Sequence, residues 1–316
     1  MNRAPAVLRV GTRGSALAQA QTASVVQILR ERSADLRIET VIIRTSGDRQ
    51  QREVVGAFVK ELQEALLRGE IDVAVHSLKD LPAQGVGGLT VAAVPPRADA
   101  RDVLLSRGEP FAGLPRGAHV GAGSVRRSAQ LKRLRADLQI LPLVGNVDTR
   151  IRKLREGQYD AVVLAAAGLQ RLGFLETPEE SFLMMPEGSH LHLHVFDFAQ
   201  MLPAPGQGAL ALECRADDQQ TIACLQTVDH PETRLAVTAE RSVLHALGGG
   251  CRVPIAAYAE VQGSHLHLTA LVAMPEGDMV ITDRIDGDAS QAEALGEQLA
   301  HRLRTLGASH LLGTTS

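Results

Sequence analysis

The sequence predicts an α/β protein built from two similar wound α/β domains and a smaller α+β domain at its C-terminal end. Three observations carry this reading. Through the first two thirds of the chain, short apolar runs rich in β-branched residues alternate with helical patterns, the grammar of strands joined by helical crossovers. Within that region "LRVGTRGSALAQAQ" (Leu8 to Gln21) is echoed by "AHVGAGSVRRSAQL" (Ala118 to Leu131). Beyond "LECR" the alternation stops, and one long amphipathic pattern is followed by turn-punctuated runs.

Each half of the echo reads as a strand, a glycine turn carrying a serine, and a helix with Ser15 or Ser124 near its first turn. A second echo joins "LLRGEIDVAVHSLKD" (Leu66 to Asp80) and "KLREGQYDAVVLAAAGL" (Lys153 to Leu169), each a helix, a glycine cap, an acidic residue and a buried strand. The prolines and mixed charge of "PPRADARDVLLS" (Pro95 to Ser106) mark the crossing between the two domains. "MLPAPGQGALALECR" (Met201 to Arg215) reads as the return, a proline-rich turn and one more apolar strand. In "TRLAVTAERSVLHAL" (Thr233 to Leu247), Leu235, Ala239, Val243 and Leu247 form one helical stripe that Gly248 stops. Turns at "QGS" and "PEGD" then separate antiparallel strands, and Leu295, Leu299 and Leu303 line a final helix over Ser290 to Leu306. The expected domains are 1–96 with 202–222, then 97–201, then 228–316.

A chain of 316 residues, 45% of them hydrophobic, is long enough to bury the cores of two or three domains. Its formal net charge of -3 gives no overall attraction for nucleic acid, and 3% aromatic content without Trp leaves no stacking platform for single strands. The opening "MNRAPAVLRV" is too short and too charged for a signal core or a membrane span, so the expected location is the cytoplasm. The three cysteines, Cys214, Cys224 and Cys251, are odd in number and lack CxxC spacing, which supports neither a disulfide framework nor a zinc knuckle.

The chemistry starts from where the basic residues fall. Arg13 lies in the first glycine turn, Arg126 and Arg127 at the matching helix start, and Arg150 in "GNVDTR", all at strand-to-helix junctions. Backbone N–H groups and the helix dipole favour anions there, guanidinium forks add carboxylate recognition, and in an open α/β sheet such junctions gather along one crevice. The pattern predicts a polyanionic ligand; the alternative is that the arginines are solvated or paired with Asp48 or Asp102. In "AVHSLKDLP" (Ala74 to Pro82), a buried strand delivers Ser77, Lys79 and Asp80 to the C-terminal lip of its sheet. A carboxylate beside a lysine can stabilise a developing cation or move a proton; a surface Lys/Asp pair is the alternative. Cys251, in "LGGGCRVP", follows a helix C-terminus, where the dipole disfavours a thiolate, although Arg252 offsets this. The preceding glycines clear space for a bulky group beside the sulfur, and nothing in the spacing brings His245 to it. A buried inert thiol is the alternative, and it suits Cys214 and Cys224.

The motifs "GTRGSALAQAQ", "TSGD", "FVKELQEALL", "DVAVHSLKDLP", "RADARDVLLS", "VRRSAQL", "GNVDTR", "YDAVVLAAAGLQRLG", "LPAPGQGALALECR" and "TAERSVLHALGGGCRVPI" resemble, in order and over nearly the whole chain, the porphobilinogen deaminase (hydroxymethylbilane synthase) family. The resemblance implies two domains like those of periplasmic binding proteins and a small third domain. It also implies a cytoplasmic, monomeric transferase that condenses four porphobilinogens head to tail, releases ammonia and yields linear hydroxymethylbilane. The implied primer is one dipyrromethane per chain, held by a thioether to Cys251. The catalytic aspartate falls on Asp80, which is expected to stabilise positive charge on pyrrole nitrogens as ammonia leaves. Carboxylate-binding roles fall on Arg13, Ser15, Lys79, Ser124, Arg126, Arg127, Arg150 and Arg171, and the resemblance also implies cofactor or substrate binding by Phe58, Ser77 and Gln207. The implied partners are porphobilinogen and linear polypyrroles, with no nucleic acid, membrane or metal.

Departures accompany the match. "REVVGAFVKEL" (Arg52 to Leu62) keeps Gly56 and Phe58 without the family's loop lysine, Val144 stands where the family carries arginine, and Ala122 and Gly123 stand where hydroxyls are common. In "MMPEGSHLHLHVFDFAQM" (Met184 to Met201), His190, His192 and His194 share a face if extended, but no carboxylate or Cys is spaced to complete a metal site, so a surface strand or loop is expected. Two other functional classes are compatible with these residues: a fold-retaining relative with weak or no elongation, and a solute-binding module, which leaves "GGGC" unexplained.

Overall fold

Strands and helices alternate through most of the computed structural model, which describes residues 7–43, 57–177, 180–185, 188–248 and 254–313. First come β1 (Leu8–Arg13), α1 (Ala16–Arg32), β2 (Ile38–Ile43), α2 (Ala57–Leu67), β3 (Val73–Ser77) and β4 (Leu89–Ala93). Next are β5 (Asp102–Ser106), β6 (His119–Ala122), α3 (Val125–Leu134), β7 (Gln139–Pro142), α4 (Val147–Arg155), β8 (Ala161–Ala165), α5 (Ala166–Arg171), β9 (Phe182–Met184) and β10 (His190–Val195). The chain continues through β11 (Leu210–Arg215), α6 (Gln219–Gln226), α7 (Pro231–Ala246), β12 (Ile255–Gln262), β13 (His265–Ala273), β14 (Val280–Asp288), α8 (Ala292–Leu303) and α9 (Ser309–Gly313). Two compact units result, one of residues up to Ala98 with Ala209–Arg234, the other of Asp99–Gly208 with the chain from Leu235 onward.

The first unit is one sheet, ordered β2-β1-β3-β11-β4. β1 runs parallel to β2 and β3, and the returning β11 is antiparallel to β3 and β4. Helix α1 covers this sheet because Ala18, Thr22, Val25, Val26 and Leu29 recur at helical spacing and are all buried. They pack with Leu8, Val10, Val73, Val75, Leu210 and Leu212. On the other face, Leu62, Ala65 and Leu66 of α2 meet Ile71 and Ala74.

The second unit holds a sheet ordered β7-β6-β8-β5-β10-β9, in which β6 is parallel to β7 and β8, and a separate antiparallel meander, β12-β13-β14. Both turns of the meander fall where expected, with Gly263 and Gly277 at positive φ. Helices α7 and α8 bury Ala239, Val243, Leu247, Leu295, Leu299 and Leu303 against Leu266, Leu268, Ala270 and Val272 on one face of the meander. The sequence pattern thus yields the expected architecture of two α/β sheets and a small α+β layer.

The echoes are structural repeats down to single hydrogen bonds. Gly69 and Gly157, both at positive φ, end α2 and α4 with their N–H groups donating to Leu66 O and Leu154 O at 3.0 Å. The acid three residues later then does the same job in each unit. The Asp72 N–H donates to Arg9 O and its carboxylate accepts from the Arg9 N–H at 3.0 Å; Asp160 does this with His119, accepting at 2.8 Å. Each aspartate therefore locks the start of the strand that leads to the serine-capped helix.

One boundary needs correction. Only the first half of "PPRADARDVLLS" is a crossing; Asp102–Ser106 is β5, buried at every position and paired on both sides with β8 and β10. The prolines and arginines interrupt structure only as far as Arg101, and "DVLLS" is a fully buried strand without alternation.

At the start of β5 sits an ionic knot. Asp102, 0% exposed, accepts from Arg126 Nη1 at 2.6 Å, from Arg127 Nε and Nη2 at 3.0 and 2.7 Å, and from Gln207 Nε2 at 3.0 Å. Burial alone pushes this carboxyl up, but the two guanidinium groups outweigh it and hold it far below the ordinary carboxylate range. Burial also pulls the Arg126 guanidinium below its ordinary value, with Asp102 opposing the shift. Arg126 Nη1 also donates to Leu202 O and Arg127 Nη1 to Val163 O, so α3 is tied to β5, β8 and the segment that precedes β11.

Two outcomes follow for stability. Asp102→Asn leaves two buried cations short of their counter-charge and is expected to cost about 3–5 kcal/mol in urea unfolding. Because the folded carboxyl lies below its unfolded value, its contribution is in full force above about pH 4 and fades only as the pH falls further. The loss is therefore expected to be equal at pH 8 and pH 5 and to shrink in stronger acid. Gly277, at the tip of the β13–β14 turn, seats against α3, where a Cβ would fall well inside contact distance of Ala129 O. With its φ of 76° as a second source of strain, Gly277→Ala is expected to lose about 1–3 kcal/mol in the same measurement.

Candidate active site

In the first unit, β1 and β3 are adjacent and parallel, so both deliver their C-terminal ends to one edge of the sheet. β1 ends at Arg13, half-buried, and the chain turns through Gly14 into α1. Ser15 is the N-cap, its Oγ accepting from the Ala18 N–H at 3.3 Å, which orients the helix N-terminus and its dipole at this edge. β3 ends at Ser77 and passes into a single 3-10 turn, Leu78–Asp80. The Leu78 N–H donates to Ala209 O at 3.0 Å, and the Ser77 hydroxyl accepts from Gln21 Nε2 of α1 at 2.8 Å. Lys79 is half-buried and Asp80 exposed. Arg13, Ser15, Ser77, Lys79 and Asp80 are thus gathered at one lip, as the strand order requires.

The second unit repeats the arrangement with more cationic charge. β7, β6 and β8 are parallel neighbours, and each ends in a turn into α4, α3 or α5. Ser124 caps α3, accepting from the Arg127 N–H at 3.3 Å. Arg150 of α4 donates from Nε to Gly145 O at 2.6 Å. Its guanidinium lies over Gly123, where a Cβ would sit 2.7 Å from Nη1. The side-chain-free turn before Ser124 therefore provides the space that brings Arg150 to the α3 N-terminus. Arg171, the last residue of α5, donates from Nη2 to Gly208 O at 2.7 Å, and burial pushes its guanidinium down to about 10. A cation so desolvated gains most from an added carboxylate. Lys153 Nζ donates to Val144 O at 3.1 Å, which puts an ammonium at the loop where Val144 itself is 46% exposed.

Other sequence-singled residues fall elsewhere. Arg126 and Arg127 are buried in the Asp102 knot, the pairing that the sequence left as the alternative. Arg127 spends Nε, Nη1 and Nη2 there, whereas Arg126 engages through Nη1. Gln207, 1% exposed, also belongs to the knot and donates to Ala100 O at 2.7 Å. Cys251, the Phe58 side chain and Asp48 lie outside the described residues; α7 does end at Ala246, with the Gly248 N–H donating to His245 O, ahead of the cysteine motif. Cys214 and Cys224 are buried, and burial pushes the Cys214 thiol up to about 11. His190, His192 and His194 do share a strand, β10, as aromatic packing partners. His194 stacks on Phe111 at 4.9 Å, and Phe182 lies 5.0 and 4.9 Å from the His190 and His192 rings. No cluster of three or more metal-ligating His, Cys, Asp or Glu occurs among the described residues.

Three contributors were not singled out by sequence. Gln21 and its hold on Ser77 depend on α1 crossing β3, which no local pattern encodes. Glu240, 0% exposed, accepts from the Gly206 N–H at 2.7 Å and the Ala259 N–H at 2.8 Å and so ties α7 to the loop carrying Gln207. A charged residue in the buried stripe of α7 was the available signal. His76 and Glu213 form the third case, a buried pair beneath the first lip.

The family model for the dipyromethane cofactor binding domain of porphobilinogen deaminase matches residues 8–223, and the model for the C-terminal domain of that enzyme matches residues 234–305. The porphobilinogen deaminase of Geobacter metallireducens is 44% identical over 98% of this chain and 95% of its own length. That of Acidothermus cellulolyticus is 46% identical over 97% and 91%. Among solved structures, the chain is similar to the periplasmic aliphatic sulphonate binding protein SsuA from Escherichia coli, at 17% identity and a TM-score of 0.42 over 96% of this chain and 88% of that one. With two family models covering most of the chain and relatives of this identity over nearly its full length, the chain belongs to the porphobilinogen deaminase family.

Proposed function

We propose that this chain condenses four porphobilinogen molecules stepwise onto a dipyrromethane attached to Cys251, releasing ammonia and giving linear hydroxymethylbilane. The observation that carries this reading is that the first unit sets an exposed carboxylate, Asp80, beside Lys79 at its sheet lip, and the second unit, taken by itself, sets cations at its strand-to-helix turns. Every pyrrole unit brings an acetate and a propionate, so the ligand is a polyanion whose ring nitrogens become positive during reaction. The donor set suits such a group: Arg150, Arg171 and Lys153 present charge, and the N-termini of α3 and α4 add dipole. When bound, the dipyrromethane supplies the nucleophilic pyrrole carbon at which the first new C–C bond forms.

The chain's own residues do the rest. Asp80 faces the positive charge that develops on the substrate pyrrole nitrogen as the aminomethyl C–N bond breaks and ammonia departs. It also takes up the ring-carbon proton released after C–C bond formation. Lys79, Arg13, Ser15 and Ser77 hold carboxylates at that lip, and Phe58 is a further substrate-binding residue on this reading. Arg150, Arg171 and Ser124 hold them at the other; Arg126, Arg127 and Gln207 act through the knot, keeping the α3 N-terminus in place. On this reading the segment 228–316 serves as the cofactor-carrying domain. The buried free thiols Cys214 and Cys224 support a reducing, cytoplasmic setting, and among the described residues no helix is long and apolar enough to cross a membrane. We assign the working form as a monomer, which a sedimentation measurement tests.

Intact-mass measurement of protein made in a porphobilinogen-producing cell is expected to show two pyrrole units added to the chain, and none on Cys251→Ser; a wild-type protein without the adduct overturns the reading. Asp80→Ala is expected to keep the adduct and lower kcat for ammonia release by roughly 10²–10⁴-fold. Arg171→Gln loses one charged contact, about 1.5–3 kcal/mol, and is expected to raise KM for porphobilinogen roughly tenfold or more. Since the free enzyme's Arg171 is cationic below about pH 10, the KM difference from wild type is expected to hold at pH 8 and to narrow above pH 10.

A further inference from the structure

β3 is the middle strand of the first sheet, and its first three residues, Val73, Ala74 and Val75, are apolar and buried. His76, next in line, is 5% exposed, and Glu213 of the neighbouring β11 is 4% exposed. His76 Nε2 lies 3.1 Å from Glu213 Oε2, at ion-pair distance but off hydrogen-bond alignment, while Gln63 Nε2 of α2 donates to Glu213 Oε1 at 3.0 Å. A buried pair with imperfect alignment contributes little net stability, and apolar side chains of similar volume often do as well or better. Its presence calls for a role in specificity.

That role is found in the strand register. β11 pairs antiparallel with β3 through Leu210↔Ser77, Ala211↔His76, Leu212↔Val75 and Glu213↔Ala74. Leu210, Ala211, Leu212 and Cys214 are all buried, so apolar patterning alone distinguishes poorly between this register and a one-residue slip. The ladder on the other side of β11 does not settle it either, because its register with β4 shifts between Leu212 and Glu213. Glu213 breaks the degeneracy. In the observed register it shares a face with His76 and Gln63; after a slip it enters the opposite face, among Val10, Val73 and Val75.

Register in turn decides which carbonyl meets the turn that carries Lys79 and Asp80. With β11 as it stands, Ala209 O accepts from the Leu78 N–H at 3.0 Å, the first amide of that turn. We infer that the buried His76–Glu213 pair is a register pin whose function is to position the Leu78–Asp80 turn, so that His76 and Glu213 are positioning residues acting through β11 and the Ala209 carbonyl. The inference rests on the proposed role of Asp80 for its consequence in turnover, and on backbone geometry alone for its consequence in structure.

The test uses the full-length, adduct-bearing protein with the double substitution His76→Leu/Glu213→Met, which replaces the pair by apolar groups of similar volume. Expected are an unfolding midpoint equal to or above wild type, KM within twofold, kcat lowered roughly tenfold to a hundredfold, and faster hydrogen exchange at the Leu78 amide. Glu213→Gln, which retains length and polarity, is expected to stay within about threefold of wild-type kcat. Wild-type kcat in the double variant overturns the inference, as does a kcat loss matched by a falling midpoint with Leu78 exchange unchanged. If the double variant does not fold, His76→Asn, too short to span the contact, is held to the same readouts. A wild-type protein that releases no ammonia sinks the proposed function and leaves the pin to stand or fall on Leu78 exchange.

Discussion

A single buried carboxylate organises the second unit. Asp102 has no exposure to water, yet it is held charged by two guanidinium groups and a glutamine that reach it from α3 and from the loop before β11. Around it, Arg126 and Gln130 hold Leu202, Gln207 holds Ala100, and Glu240 on α7 holds Gly206. The loop 202–208 is therefore bonded at nearly every step, and the Arg171 contact to Gly208 depends on the same loop. Removing water makes each of these bonds count for more and makes any lost partner costly, so the network favours one arrangement of α3 over its neighbours.

That rigidity bears on the chemistry proposed. A ligand bearing carboxylates on every ring needs cations whose positions are set before it arrives, because an arginine that must be ordered on binding gives up rotamer entropy. The Asp102 knot spends one negative charge to keep two positive ones in place, leaving a net positive centre behind the α3 N-terminus. At the first lip the device differs. Ser77 is held from one side by Gln21, and the following turn by the Ala209 carbonyl of the returning strand, so exposed Asp80 is carried on an anchored backbone.

The two units show how far local signals extend. Ser15 and Ser124 were legible as caps, Gly69 and Gly157 as helix ends, and the acid after each glycine as part of a repeat, since all act within a few residues of their partners. What the acid does, closing on Arg9 or His119 at the start of a neighbouring strand, required the strand order. Val144 presents the same contrast. Its sequence marks a missing cation, whereas the fold of α4 returns the Lys153 ammonium to that carbonyl.

The sequence by itself determined most of the order of elements, the two capped lips, the α+β C-terminal layer and the family, because periodicity, caps and motifs are written in neighbouring residues. Tertiary structure alone decided that Arg126 and Arg127 turn inward to Asp102, that "DVLLS" is a core strand, and that Glu213 finds His76. Many charged residues in the chain are chemically able to pair with any of these arginines. Which one does so is set by which strands lie side by side, and that depends on burying both faces of each sheet at once, a property of the whole fold.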